Sequence, residues 1–323
     1  MIDVHAHVVL EGVLGCAGVY GPELSEGADG VSRFRAGDYV LEGVKYRDSP
    51  FMDIDRRLAL NDRLGIELQV LSPNPITYFH HIEATTAIEF CRWHNNEMVD
   101  IVTGHADRLA GFAQLPMQDL AVAVEELRRT TERGLLGAYI GTDFGMTFDD
   151  DRLDPLWAAA VECDVPIFVH PAPAGIDGPL RDERIRRFDL DLSLGFLYEE
   201  TLAVACVIYG GVLDRHPGLD LCFSHGGGAA TFMTGRLQHQ GRSRPWAREH
   251  PVDFAAGLRR LWFDQHVHDA DALNLVTTKV GVDRLVVGTN LAGWDAPHDP
   301  ADIPYRTEYD TNARRLLRLP AAA

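Results

Sequence analysis

The chain opens Ile2-Asp3-Val4-His5-Ala6-His7, a short apolar strand that ends in two histidines one residue apart. Side chains along a strand alternate faces, so His5 and His7 point the same way and can bind one metal ion. Two further histidines close apolar strands far downstream. His170 follows Pro166-Ile167-Phe168-Val169, and His225 follows Leu221-Cys222-Phe223-Ser224 and precedes Gly226-Gly227-Gly228. Three neutral imidazoles with one open position make the arrangement of a catalytic zinc, whose bound water has its pKa lowered to about 7. Four strand-end histidines therefore predict a metal or catalytic site.

Positioning these residues takes a scaffold that brings distant strand ends together. Apolar runs at 66–72, 109–115, 135–142, 166–170, 219–225, 260–264 and 284–288 join the opening strand to give eight strands. Each is followed by a helical pattern or a long loop, which predicts an α/β fold of the (β/α)8 barrel type, one domain over 1–323. In such a barrel the chemistry sits at the C-terminal ends of the strands. His5 and His7 would end strand one, His170 strand five and His225 strand six.

Two long segments, 11–50 and 171–194, follow candidate ligands and read as lids. The first reads as too irregular for a helix or a strand pair, with Val44-Lys45-Tyr46-Arg47-Asp48 the part that reaches a site. Residues 195–214 read as a helix almost without a polar face, which predicts cover on several sides and a homodimer.

With 323 residues, 46% of them hydrophobic, the chain can bury a large core. A net charge of -18 without a basic block argues against nucleic acid or an anionic membrane as partner and favours a small-molecule substrate. The five cysteines are scattered without a CxxC pair, as expected of reduced residues in a cytoplasmic protein. No signal-peptide pattern or bilayer-length apolar run is evident. The His225-Gly226-Gly227-Gly228 run lacks the GxSxG elbow that an esterase would need, and there is no Walker A motif. His80-His81 and His266-x-His268 read as supporting or surface histidines.

Phe168-Val169-His170-Pro171, the run from Gly210-Gly211-Val212 through Cys222 to Gly228, Gly235-Arg236 and the opening HxH together resemble the aminocarboxymuconate-semialdehyde decarboxylase family of the amidohydrolase superfamily. The resemblance spans nearly the whole chain. It implies zinc on His5, His7 and His170, and His225 as the proton-transferring residue. It also implies that Arg47 and Arg236, the latter from a neighbouring subunit, hold the substrate carboxylate. The implied reaction is metal-dependent, non-oxidative decarboxylation of a small unsaturated or aromatic carboxylic acid. A hydrolase or hydratase on the same scaffold is the alternative, and a metal-free, inactive binding relative is another.

One position departs from that family. Where its members end strand eight with an aspartate that binds the metal, this chain reads Gly288-Thr289-Asn290. An amide oxygen can coordinate but carries no charge. Three outcomes are open: Asn290 is a neutral ligand, Asp295 or Asp264 substitutes, or the metal is lost. Trp294 and Asp295 follow strand eight and are expected to line the pocket with the substrate.

Overall fold

The computed structural model describes residues 1–173, 175–176, 182–291, 293, 295–296 and 303–321. Eight parallel strands form the barrel: β1 (Ile2–Val8), β2 (Leu68–Pro73), β3 (Leu109–Gly111, resuming at Ala113–Gln114), β4 (Ala138–Ile140), β5 (Ile167–Val169), β6 (Leu221–Phe223), β7 (Trp262–Asp264) and β8 (Leu285–Val286). The barrel closes where Val4 N–H donates to Val287 O at 2.9 Å and Asn290 N–H donates to His5 O at 2.8 Å. That seam sets the first and last strands side by side, so residues from the two ends of the chain share one site.

Ile2, Val4, Val70, Phe112, Tyr139, Phe168, Cys222, Trp262 and Val286 pack together as the barrel interior. A larger apolar layer lies between the strands and the surrounding helices. Helix starts carry the expected side-chain caps: Asp53, Asp119, Asp253 and Asp269 each accept from a backbone N–H in the first turn.

In β1 the pairing with β2 slips between Asp3 and Ala6, three steps on β1 facing two from Gln69 to Leu71. Such a bulge inserts one residue and reverses which parity faces inward. Ile2 and Val4 accordingly fill the barrel interior, while His5 and His7 take over the inward face at the strand's end.

Residues 11–50 differ from the sequence expectation, for they contain a three-stranded antiparallel sheet of Glu23–Glu26, Ser32–Ala36 and Tyr39–Glu42. These strands are short and mostly polar, with Phe34 as the buried anchor. Tyr39 meets the second long segment, its ring lying 4.8 Å from the Arg186 guanidinium. The predicted helix at 195–214 is a π-turn over Asp191–Gly195, a helix over Phe196–Tyr209 and a short helix over Val212–Arg215. By length and hydropathy alone Asp191–Tyr209 could cross a membrane. In the fold, however, its Glu200, Ala203, Val204 and Val207 are buried against the barrel.

Candidate metal and proton-transfer site

His5, His7 and His170 converge at the C-terminal mouth of the barrel, each offering a ring nitrogen within 4.8 Å of the others. The Nε2 atoms of His5 and His7 are 3.3 Å apart. Each ring is fixed from behind through Nδ1. His5 donates to Asp264 Oδ2 at 2.7 Å, His7 to Pro73 O at 3.0 Å and His170 to Pro171 O at 2.6 Å. With the proton on Nδ1, every Nε2 presents a lone pair to the common centre. Burial keeps the rings neutral: it lowers His5 and His170 well below the ordinary imidazole range and His7 to about 3.

His225 borders that centre, and Asn290 N–H donates to His5 O beside it. His225 stands 5.0 Å from His170 and 5.4 Å from His5, centroid to centroid. Burial disfavours its charge, but Glu200 Oε1 lies 2.9 Å from Nδ1 and outweighs it, raising the imidazole to about 9. Ser224 Oγ also donates to Glu200 Oε1. The turn after His225 depends on glycine, since a Cβ at Gly228 (φ +64°) would lie 2.3 Å from Leu197 O. On the opposite side a Cβ at Gly288 would come within 2.8 Å of both His5 Cβ and Asp264 Oδ2, so only glycine lets β8 approach His5 closely.

The donors present fit a divalent cation. His170 Nε2 and Asn290 Oδ1 are both buried acceptors without a hydrogen-bond partner. Bare lone pairs beside two further imidazoles are what a cation would satisfy.

Asp295 lies beside the ring, accepting from Asn290 Nδ2 at 2.5 Å and pairing with His266 Nε2 at 3.1 Å. Although burial opposes its charge, His266 and its neighbours hold the carboxyl well below the usual range. Asp264 is fully buried behind His5, so it orients that ring from outside the centre. Arg47 is about half exposed and pairs with Glu11 at 2.8 Å. Arg236 is exposed on the helix Thr234–Ser243. Trp294 lies outside the described residues.

Sequence reasoning missed Glu200 and underrated His266, which is buried and stands 5.6 Å from both His5 and His225. The adjacent acids Glu199 and Glu200 in a mostly apolar helix were the available signal for Glu200. His80 also proves buried, stacked 5.3 Å from Tyr78, with Nε2 accepting from Gly141 N–H. A cavity of 590 Å³ is lined by Tyr78, His80, Ala172, Ile176, Tyr198 and Glu199 among others, and by none of His5, His7, His170 and His225. Phe196 closes one side of the centre, 5.6 Å from His170 and 5.9 Å from His225.

The amidohydrolase family profile matches residues 2–322. The chain is similar to 2-amino-3-carboxymuconate-6-semialdehyde decarboxylase of Dictyostelium discoideum, 30% identical over 257 residues that cover 78% of this chain and 70% of that one. It is 29% identical over 318 residues to gamma-resorcylate decarboxylase of Rhizobium sp. (strain MTP-10005), covering 90% and 93%. Its fold matches a crystal structure of a dihydroxybenzoic acid decarboxylase from Polaromonas sp. JS666, with bound manganese and the inhibitor 2-nitroresorcinol. The TM-score is 0.76 at 22% identity, covering 99% of this chain and 97% of that one.

Proposed function

From the premise that this chain belongs to the amidohydrolase family, we propose that it is a metal-dependent, non-oxidative decarboxylase of a small aromatic or unsaturated carboxylic acid. The observation that carries the reading is the Glu200–His225 pair set against three neutral imidazoles. His5, His7, His170 and the amide oxygen of Asn290 would hold a divalent ion, which supplies positive charge to bind and polarise an anionic substrate.

The chain's own groups account for the remaining steps. Glu200 keeps His225 protonated on Nδ1, so Nε2–H can be delivered to the substrate carbon that bears the carboxylate. The carbon–carbon bond then breaks, CO2 leaves, and the proton takes its place on carbon. Phe196, packed against His170 and His225, shields that side of the centre from water, which favours loss of the carboxylate's charge as CO2. In this reading Arg47 exchanges Glu11 for the substrate carboxylate.

Zinc suits three imidazole nitrogens, and metal analysis of the purified protein separates it from manganese. The exposed apolar residues Leu194, Leu197, Tyr198 and Leu202 support a homodimer through this helix, with Arg236 reaching the neighbouring site. All five cysteines are free, which suits the cytoplasm. The deciding experiment offers gamma-resorcylate and 2-amino-3-carboxymuconate-6-semialdehyde, with related acids, to the metal-loaded protein and measures CO2. Release of product without CO2 from any of them would replace this reading with a hydrolase.

A further inference from the structure

If Asn290 is the fourth ligand of the metal-centre reading, it offers a neutral oxygen alongside neutral imidazoles, and the charge that a divalent ion calls for is found one contact away. Asn290 Nδ2 donates to Asp295 Oδ1 at 2.5 Å, while Asp295 Oδ2 faces His266 Nε2 at 3.1 Å and His268 Nε2 at 3.5 Å. Asp295 is only 11% exposed, and it falls into a different cluster from His5, His7 and His170, together with His225 and His266. Its oxygens are thus occupied by partners at the rim of the centre. An amide has one donor end and one acceptor end. A carboxylate bound to the donor end turns the acceptor end the other way, and Asn290 Oδ1 is indeed buried with no partner.

Asn290 also holds a left-handed backbone conformation, φ +45°, fixed by its N–H to His5 O. Backbone and side chain are thus each held by a hydrogen bond, N–H to His5 O and Nδ2 to Asp295 Oδ1. We infer that Asp295 is a positioning residue that locks Asn290 Oδ1 toward the metal centre and carries, through that hydrogen bond, the negative charge that an aspartate at 290 would otherwise supply. The inference rests on the metal-centre reading above. It assigns Asp295 to the metal side of the site, away from direct substrate contact.

A distinctive consequence concerns the two positions jointly. With Asp295 in place, Asn290→Asp sets two carboxylates where one hydrogen bond of 2.5 Å now stands, so repulsion opposes the added ligand charge. Exchanging the residues, Asn290→Asp with Asp295→Asn, restores one donor facing one acceptor. The two substitutions are strongly coupled, as contacting residues in one network are.

The test titrates Zn2+ and Mn2+ separately into chelator-stripped protein against a competing indicator, for wild type, both single variants and the exchanged double variant. Apo melting curves run alongside. Asp295→Asn is expected to weaken metal binding by about 10–100-fold, the usual effect of losing a partner behind a ligand. Asn290→Asp alone should bind no tighter than wild type, and the exchanged pair should bind at least about tenfold tighter than Asn290→Asp. Asp295→Asn within about twofold of wild type, or Asn290→Asp as tight as the exchanged pair, overturns the inference. If Asp295→Asn does not fold, Asn290→Asp decides alone: affinity at or below wild type supports the inference, and a tenfold gain refutes it. Failure of the wild type to bind either metal would instead remove the metal centre itself, and the CO2 assay tests the reaction separately.

Discussion

Glu200 Oε1 and His225 Nδ1 are 2.9 Å apart, a buried acid from a helix paired with a histidine at a strand end 25 residues later. The pairing holds His225 at about 9 against an ordinary value of 6.5. Its contribution to stability is therefore complete below pH 6.5 and is lost as pH rises through about 9. Proton donation follows the same limb, so kcat should fall above about pH 9. In Glu200→Gln the limb should move toward 6.5, with about a tenfold or greater loss of kcat at pH 8. A kcat–pH profile of the two proteins checks this, and an unmoved limb would detach Glu200 from the proton donor.

His225→Ala should lower kcat by about 10²–10⁴-fold while metal content stays at the wild-type level. Steady-state kinetics with elemental analysis of the same preparation reads both quantities. Joint loss of metal and activity would make His225 a ligand.

The three imidazoles need no deprotonation to receive a metal, because burial already keeps them neutral into the acid range, His7 down to about 3. Metal affinity should change by less than about threefold between pH 8 and pH 6, whereas three histidines of ordinary pKa would lose roughly fiftyfold. Competition titrations at the two pH values distinguish these cases. Chelation should also lower Tm, since metal at 100 times its Kd adds about 2.7 kcal/mol to the folded state.

Below the site runs a buried network. Arg57 donates to His7 O and to Gln69 Oε1 at 2.9 Å, Gln69 Nε2 donates to Asp3 Oδ2 at 2.8 Å, and Asp3 accepts from Thr289 N–H and from Thr289 Oγ1. Arg57→Leu takes the donor away from His7 O and Gln69 Oε1 and removes the buried cation near Asp3, so a destabilisation of about 3–5 kcal/mol is expected. Urea unfolding of the apo protein measures it. A loss below about 1 kcal/mol would mean that the surrounding groups re-pair.

The barrel and its three metal-facing histidines were legible because their signals are local. Strand ends, HxH alternation and the order of elements all lie within a few residues of the side chain they position. Glu200 was not legible, since nothing near His225 in sequence points to a helix 25 residues earlier. The sheet at 23–42 escaped because its short strands, such as Glu23–Glu26, alternate polar residues with few apolar ones and so resemble loop. The bond between Asp295 and Asn290 was not legible, because it forms only in a turn that propensity does not specify.

The seam between β1 and β8 also sets when the site can exist during synthesis. Asp3 and Thr289 are 286 residues apart yet share two hydrogen bonds, and His5 O accepts from Asn290 N–H. Until the last strand has been made, β1 has only β2 beside it, and Val4 N–H and His5 O lack their partners Val287 and Asn290. The complete ring of strands, and with it the full setting of His5, therefore exists only once β8 has been made, so closure of the barrel and completion of the site are one late event.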